Sequence, residues 1–319
     1  MSGATDVLVL FEHPEWQKPL FAALERRGVT YAALDLKRAA FVAGQAPPTR
    51  LVFNQASPSA YVRGNARAVP LALAYLKALE GSGVDVVNGS KAFAFELSKT
   101  AQAAVIARLG LRTPRSIAWN DFDALAAHMH ADASWRWPAL LKPEQGGSGA
   151  RIVKLSSLDE LCSHLAKEGP GIWTPDGVLL LQEYFEHDHD EGIVRVELLG
   201  GELLYAMRVI SHGRYNLCPS PVCNPTDGDS EHCEVPEKPT KPVEFYAYKD
   251  VPKDAVDAAK RIAQAGGIDV GGIEYLESNG ERIFYDVNAN SNLRPSVARE
   301  YGFDPFERVA DYLARRARR

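Results

Sequence analysis

Apolar residues fall into short runs and helical stripes that alternate along the first hundred positions. Residues 7–11 read Val-Leu-Val-Leu-Phe, too short to span a membrane and uniform enough for a strand buried on both faces. A helical stripe over 18–27 ends at Gly28, and strand-like runs follow at 30–34 and 50–54. A second stripe covers 68–79 and another buried strand 84–88. This is the rhythm of an open α/β sheet, and it places an N-terminal domain at 1–97. The next helix begins at Ser98 or Lys99 and ends at Leu109, with Ser98 as its cap, Gly110 just past its end and Pro114 beyond.

From there strands outnumber helices. A second lobe, 98–183, carries strand patterns at 113–119, 138–141, 151–155 and 178–185 and helices at 121–130 and 158–167. A third, 184–319, opens with strands at 193–199 and 203–210 joined by Gly200-Gly201, a hairpin signal. Residues 213–244 lose all periodicity and read as a long loop, the kind that often serves as a lid. A helix at 253–265, a hairpin at 271–290 and a closing helix from Asp304 complete the chain. The expected fold class is α/β (α+β).

The 319 residues carry a net charge of -5, which argues against a protein held to nucleic acid by its overall field. Any anionic ligand must therefore be gripped locally. The basic run Arg315-Arg316-Ala317-Arg318-Arg319 complements the end of the last helix. The start has no leader pattern and no segment approaches a membrane span, so no membrane association is expected. Four cysteines are too few for a disulfide framework, and a reduced, cytoplasmic protein is expected. Cys218, Cys223 and Cys233 with His212 and His232 lack a Cys-x-x-Cys spacing and do not read as a zinc site.

The hairpin holds the richest chemistry. Asp286 and Asn288 share one face of a strand with Val287 behind them, and a turn at Ser278-Asn279-Gly280 folds Glu274 alongside. Such hard oxygen donors suit Mg²⁺, although a polar strand face meeting solvent has the same pattern. Lys142-Pro143-Glu144-Gln145-Gly146-Gly147-Ser148-Gly149 lies between two strands, where glycines let backbone amides approach a phosphate; a plain hairpin turn reads alike. Lys99 opposes the dipole of its own helix, which hints at an anionic partner or at simple solvation. Arg195, Arg208 and Asn216 are candidates to neutralise a transferring phosphoryl group, while the arginines could instead pair with Glu197 and Glu202 on the sheet surface. Arg294 is a candidate to grip a substrate carboxylate. Asn54, Arg63, Arg294 and the 213–244 loop are expected to border the acceptor pocket.

Taken in order, these pieces resemble the ATP-grasp superfamily, which includes glutathione synthetase and the ribosomal-protein glutamate ligases. The likeness covers residues 98–293 and implies an ATP-grasp fold preceded by an open α/β N-terminal domain. It implies that Lys99 and Lys142 hold the α- and β-phosphates of ATP and that Gln145, Gly146, Gly147, Ser148 and Gly149 fold over them. Gln182, Glu183, Tyr184 and Phe185 then resemble the adenine hinge, with Glu191 near the ribose. Glu274, Asp286 and Asn288 resemble the ligands of two Mg²⁺ ions, and Arg208 and Asn216 the residues near the γ-phosphate. The implied activity is ATP-dependent carboxylate–amine ligation through an acyl phosphate, on an amino acid or peptide. A kinase acting on a hydroxyl, or a nucleotide-binding regulator, keeps the same fold. A homodimer is expected. The chain departs from the family in Glu274, where an aspartate is usual, in Asp286, where a glutamate is usual, and in Ala289-Asn290-Ser291-Asn292-Leu293, where a Pro-Gly turn is usual. There its substrate is expected to be chosen.

Overall fold

A computed structural model describes residues 4–147, 149–213 and 243–319. The first sheet contains β1 (Thr5–Phe11), β2 (Tyr31–Asp35), β3 (Thr49–Gln55) and β4 (Val86–Val87), all parallel in the order β2-β1-β3-β4. Helices α1 (Pro14–Arg26) and α2 (Ala68–Gly81) cover its two faces. Alternation along β1 sorts the packing: Val7 and Val9 meet Leu20 and Leu24 of α1, whereas Leu8 and Leu10 meet Val69, Ala72 and Leu76 of α2. Helix α1 begins at Pro14, four residues before the expected start, because proline suits the first turn.

Two helices follow without a strand between them, α3 (Ser90–Leu97) and α4 (Lys99–Arg108). The second sheet then runs β5-β8-β6-β7, entirely antiparallel, from β5 (Ser116–Trp119), β6 (Ala139–Pro143), β7 (Val153–Leu155) and β8 (Leu179–Glu183). Helices α5 (Phe122–Ala131) and α6 (Leu158–Glu168) cover one face, burying Trp119, Ala139, Leu141, Leu179 and Leu181. Its other face carries Leu140, Lys142 and Gln182.

The third sheet is antiparallel in the order β11-β10-β9-β12-β13. Its strands are β9 (Ile193–Leu199), β10 (Glu202–Ile210), β11 (Glu244–Ala247), β12 (Val270–Ser278) and β13 (Glu281–Asn288). Helix α7 (Lys253–Gly266), with α3 and α4, packs on Val194, Val196, Ile273, Phe284 and Val287. The β12–β13 turn places Asn279 at φ 51 and Gly280 at φ 80, the left-handed pair that a two-residue hairpin of this hand requires. Short α8 (Pro295–Glu300) leads to α9 (Pro305–Ala317), which returns to the first sheet and packs its Val309 and Leu313 beside Val7 and Val9.

The sheets are bolted together by buried polar groups. Asn88, just past β4, donates to the carbonyls of Val270 and Ala289 at 2.7 Å each and accepts from the amides of Asp269 and Val270. That geometry shortens the strand expected over 84–88. Among the described residues, no helix is long and apolar enough to cross a membrane.

Candidate active site

The face of the third sheet turned away from α7 meets the bare face of the second, and the cleft between them collects most of the expected site residues. Asp286 and Asn288 point into it while Val287 is fully buried behind. Glu274 stands opposite Asp286 in register. A bulge follows, because Tyr275 pairs with Phe284 and leaves Tyr285 as the extra residue. The Tyr285 ring therefore also lines the cleft, and its hydroxyl donates to Glu274 Oε2 at 3.1 Å.

Each carboxylate of this hairpin, Glu274 and Asp286, has a cation. Lys99 Nζ bonds Asp286 Oδ1, and Arg195 Nη1 donates to Glu274 Oε1 at 2.8 Å. Asn288 Nδ2 donates to Asp286 Oδ2 at 2.9 Å. Burial acts to raise both carboxyls, and the charge of Asp286 adds to the rise at Glu274. At Asp286 burial is the strongest single influence, yet the Lys99 ammonium, the charge of Lys142 and the bond from Asn288 together outweigh it and hold the carboxyl below its ordinary value. Arg195 also donates from Nε to Glu197 at 2.6 Å and from Nη2 to Ser291 at 2.8 Å. Gly272 makes room for it: a Cβ there would lie 2.5 Å from Arg195 Nε.

Across the cleft, Lys142 is 6% exposed and donates to Gln182 Oε1 at 2.7 Å. Burial, assisted by the charge of Lys99, pushes its ammonium down to about 8. Glu144 accepts from the Ser98 hydroxyl at 2.5 Å and from the Thr100 amide, so the loop carries an acid to the start of α4 and offsets the cation at Lys99. Gly146, Gly147 and Gly149 line the cleft. Gly147 abuts the first domain, where a Cβ would meet Ser59 Cβ at 2.7 Å, and Gln145 Nε2 donates to the Pro58 carbonyl at 3.3 Å. Ser148 lies outside the described residues.

Gln182, Glu183, Tyr184 and Phe185 line the same cleft. Gln182 also donates to Ser116 Oγ, and Glu183 accepts from the Arg115 amide at 3.2 Å. The Tyr184 ring carries Lys154 Nζ at 3.7 Å from its centroid. Arg294 lines the cleft with its guanidinium 4.0 Å above the Phe245 ring.

Other expectations are corrected. Arg195 does pair with Glu197, but inside the cleft rather than on a solvated surface, and Glu202 pairs with Lys260. Arg208 lies opposite Val194 in register, on the other face of the sheet from Arg195, and stacks on Tyr248. Its Nη1 donates to the Glu191 carbonyl at 3.1 Å, and neither Arg208 nor Glu191 lines the cleft. His187 and His189 occupy the cleft wall instead. Asn54 is a buried structural amide bonded to the Asn88 carbonyl and the Ala56 amide. Arg63 forms a buried ion pair with Glu12. Asn216, Cys218, Cys223, Cys233 and His232 lie outside the described residues, and among the described residues no three His, Cys, Asp or Glu side chains cluster for a metal. The trio instead takes its third donor from the Asn288 amide. Two opposed carboxylates that already attract two cations fit a hard divalent ion such as Mg²⁺.

Tyr285 and Glu96 are cleft residues that the sequence reading did not single out. Tyr285 reaches the cleft only because of the bulge. Glu96, 3% exposed on α3, accepts from the Asn290 amide at 2.9 Å, and burial pushes its carboxyl up to about 8.

No family model matches the chain. A "Probable alpha-L-glutamate ligase" of Haemophilus influenzae (strain PittEE) is 21% identical over 304 residues, 91% of this chain and 92% of the relative. Among solved structures, the ATP-grasp ligase PsnB complexed with a phosphomimetic variant of minimal precursor, Mg and ADP superposes with a TM-score of 0.67 at 18% identity, covering 99% of this chain and 100% of that one. The VanG D-Ala:D-Ser ligase from Enterococcus faecalis superposes with a TM-score of 0.67 at 16% identity over 98% of each chain. With both antiparallel sheets closing on one cleft and these likenesses spanning the whole chain, the protein has the ATP-grasp fold.

Proposed function

We propose that the chain is an ATP-dependent carboxylate–amine ligase acting on an amino acid or peptide. The observation that carries this reading is the convergence of Lys99, Lys142, the glycine loop, residues 182–185 and the Glu274–Asp286–Asn288 trio on one cleft. The glutamate-ligase name of a relative and the Mg and ADP bound to a neighbour of the same fold support it.

In this reading Lys99 and Lys142 hold the phosphates, the glycine loop covers them, and residues 182–185 hold the adenine. Glu274, Asp286 and Asn288 would hold two Mg²⁺ ions, which when bound neutralise phosphate charge. A substrate carboxylate oxygen attacks the γ-phosphorus, the bond to ADP breaks, and an acyl phosphate results. An amine nitrogen, after shedding the extra proton of its ammonium form, then attacks the acyl carbon, phosphate leaves, and the nitrogen gives up one further proton and keeps one in the amide. Of the two arginines that were candidates for charge neutralisation, Arg195, fixed by three partners beside Glu274, takes that role rather than Arg208, and Arg294 grips the substrate carboxylate. Closure of the loop against Ser59 excludes water that would hydrolyse the acyl phosphate. A second cavity between α1 and the 290–295 segment shares Trp16, Asn290, Asn292 and Arg294 with the cleft and offers the acceptor its own approach.

The test is incubation of the full chain with MgATP and paired amino acids or peptides, L-glutamate first. ADP, phosphate and an amide product in equal amounts are expected, with a hydroxamate when hydroxylamine replaces the amine. A stable phosphorylated product without free phosphate means a kinase instead. ATP binding that no acceptor converts to ADP means a regulator.

A further inference from the structure

We propose that Glu96 forms the subsite for the incoming amine, its inner carboxylate oxygen accepting an N–H of the substrate's ammonium group; this rests on the ligase reading above. Glu96 lies near the end of α3 with its side chain in the cleft wall. Oε1 is occupied by the Asn290 amide at 2.9 Å. Oε2 is the only buried carboxylate oxygen among the described residues that has no hydrogen-bond partner. Burying such an oxygen unmatched is costly, and native chains keep few of them without a ligand to complete them.

The charge of the missing partner follows by elimination. Glu274 and Glu197 are met by Arg195, and Asp286 by Lys99. Lys142 and Arg294 on the same cleft suit anions, the phosphates and the carboxylate. The remaining reactant is an amine, which carries a proton and a positive charge in neutral water. Glu96 feels the charge of Lys99, but that ammonium is bonded to Asp286, so Glu96 is the buried acid left to receive it. The bond to Asn290 also places this oxygen beside the segment directly after Asn288, next to the clamp where the acyl phosphate forms.

Glu96→Gln is the decisive variant, because glutamine still accepts from the Asn290 amide but cannot ionise to meet an ammonium group. ADP formation by the full chain is measured with MgATP and L-glutamate varied in turn. The other amino acids and lysine-containing peptides follow if L-glutamate does not stimulate turnover. The expected result is a rise of about tenfold or more in the KM for the amine, with the KM for ATP held within about twofold and Glu96→Asp intermediate. An unchanged KM for the amine overturns the proposal. Equal rises in both KM values also overturn it, by assigning Glu96 to the nucleotide or metal site. A wild-type chain that binds MgADP yet responds to no amine removes the ligase reading itself, and the subsite with it.

Discussion

The clamp hairpin and the glycine-rich loop line one cleft and are built on opposite principles. On the hairpin every functional group is a side chain already held: Asp286 by Lys99 and Asn288, Glu274 by Arg195 and Tyr285. On the loop the contribution is backbone, and its anchors are the Glu144 carboxylate at the α4 terminus and the close approach of Gly147 to Ser59. As proposed metal ligands these groups must be fixed to within a few tenths of an ångström, and the hairpin is stiffened by charge. In the proposed reading a cover over phosphates must admit and release them, and the side-chain anchors of the loop gather at Glu144 and Gln145, ahead of its glycines.

The contrast breaks first at Asp286. Asp286→Asn keeps the shape, removes the charge and leaves Lys99 without its partner, and turnover is expected to fall roughly a thousandfold; activity within tenfold of wild type removes the metal role. Arg195→Met leaves Glu197 and Glu274 buried without their cation and should cost about 3–5 kcal/mol in urea unfolding. Lys142 sharpens the comparison through pH. Its ammonium, pushed down to about 8, loses its proton above that value, so MgADP affinity should fall as pH rises past about 8. In Lys142→Arg the fall should vanish, since guanidinium stays charged. The same shift means that the unfolded chain holds more protons between about 8 and the ordinary 10.5, so this lysine adds stability as pH rises through that window. Gly147→Val should weaken MgADP binding by about tenfold with little change in unfolding free energy, since the added methyls meet Ser59 at the loop tip. Arg208→Met, on the far face, should change stability by no more than about 1 kcal/mol and leave turnover alone.

Local chemistry made much of the fold legible. Gly200-Gly201 and Asn279-Gly280 sit at positive φ where turns were expected, and Ser98 caps α4 with its side chain on the Ala101 amide at 3.0 Å. Helices α3 and α8 and strand β11 were missed because each is short. That the lysines, the glycines, residues 182–185 and the Glu274–Asp286–Asn288 trio meet on one cleft was legible because their types and order are themselves the signal. Arg195 and Arg208 were not separable. Strand β10 is apolar on both sides of Arg208, so alternation alone does not say which face meets the cleft.

The chain's own pattern of apolar residues, turn formers and oxygen donors determined that Asp286 and Asn288 share a face, that Glu274 can fold beside them, and that a glycine loop follows Lys142. These are consequences of strand period and turn geometry, which act over a few residues. Strand pairing decided the rest. The register that sets Met207 against Arg195 and Arg208 against Val194 turned one arginine into the cleft and the other away. One bulge added Tyr285 to the clamp, and the packing of α3 against the segment after β13 left Glu96 with an inner oxygen unmatched. Such outcomes depend on which distant elements supply neighbours, and a neighbour's identity is a property of the packed chain rather than of any stretch of its sequence.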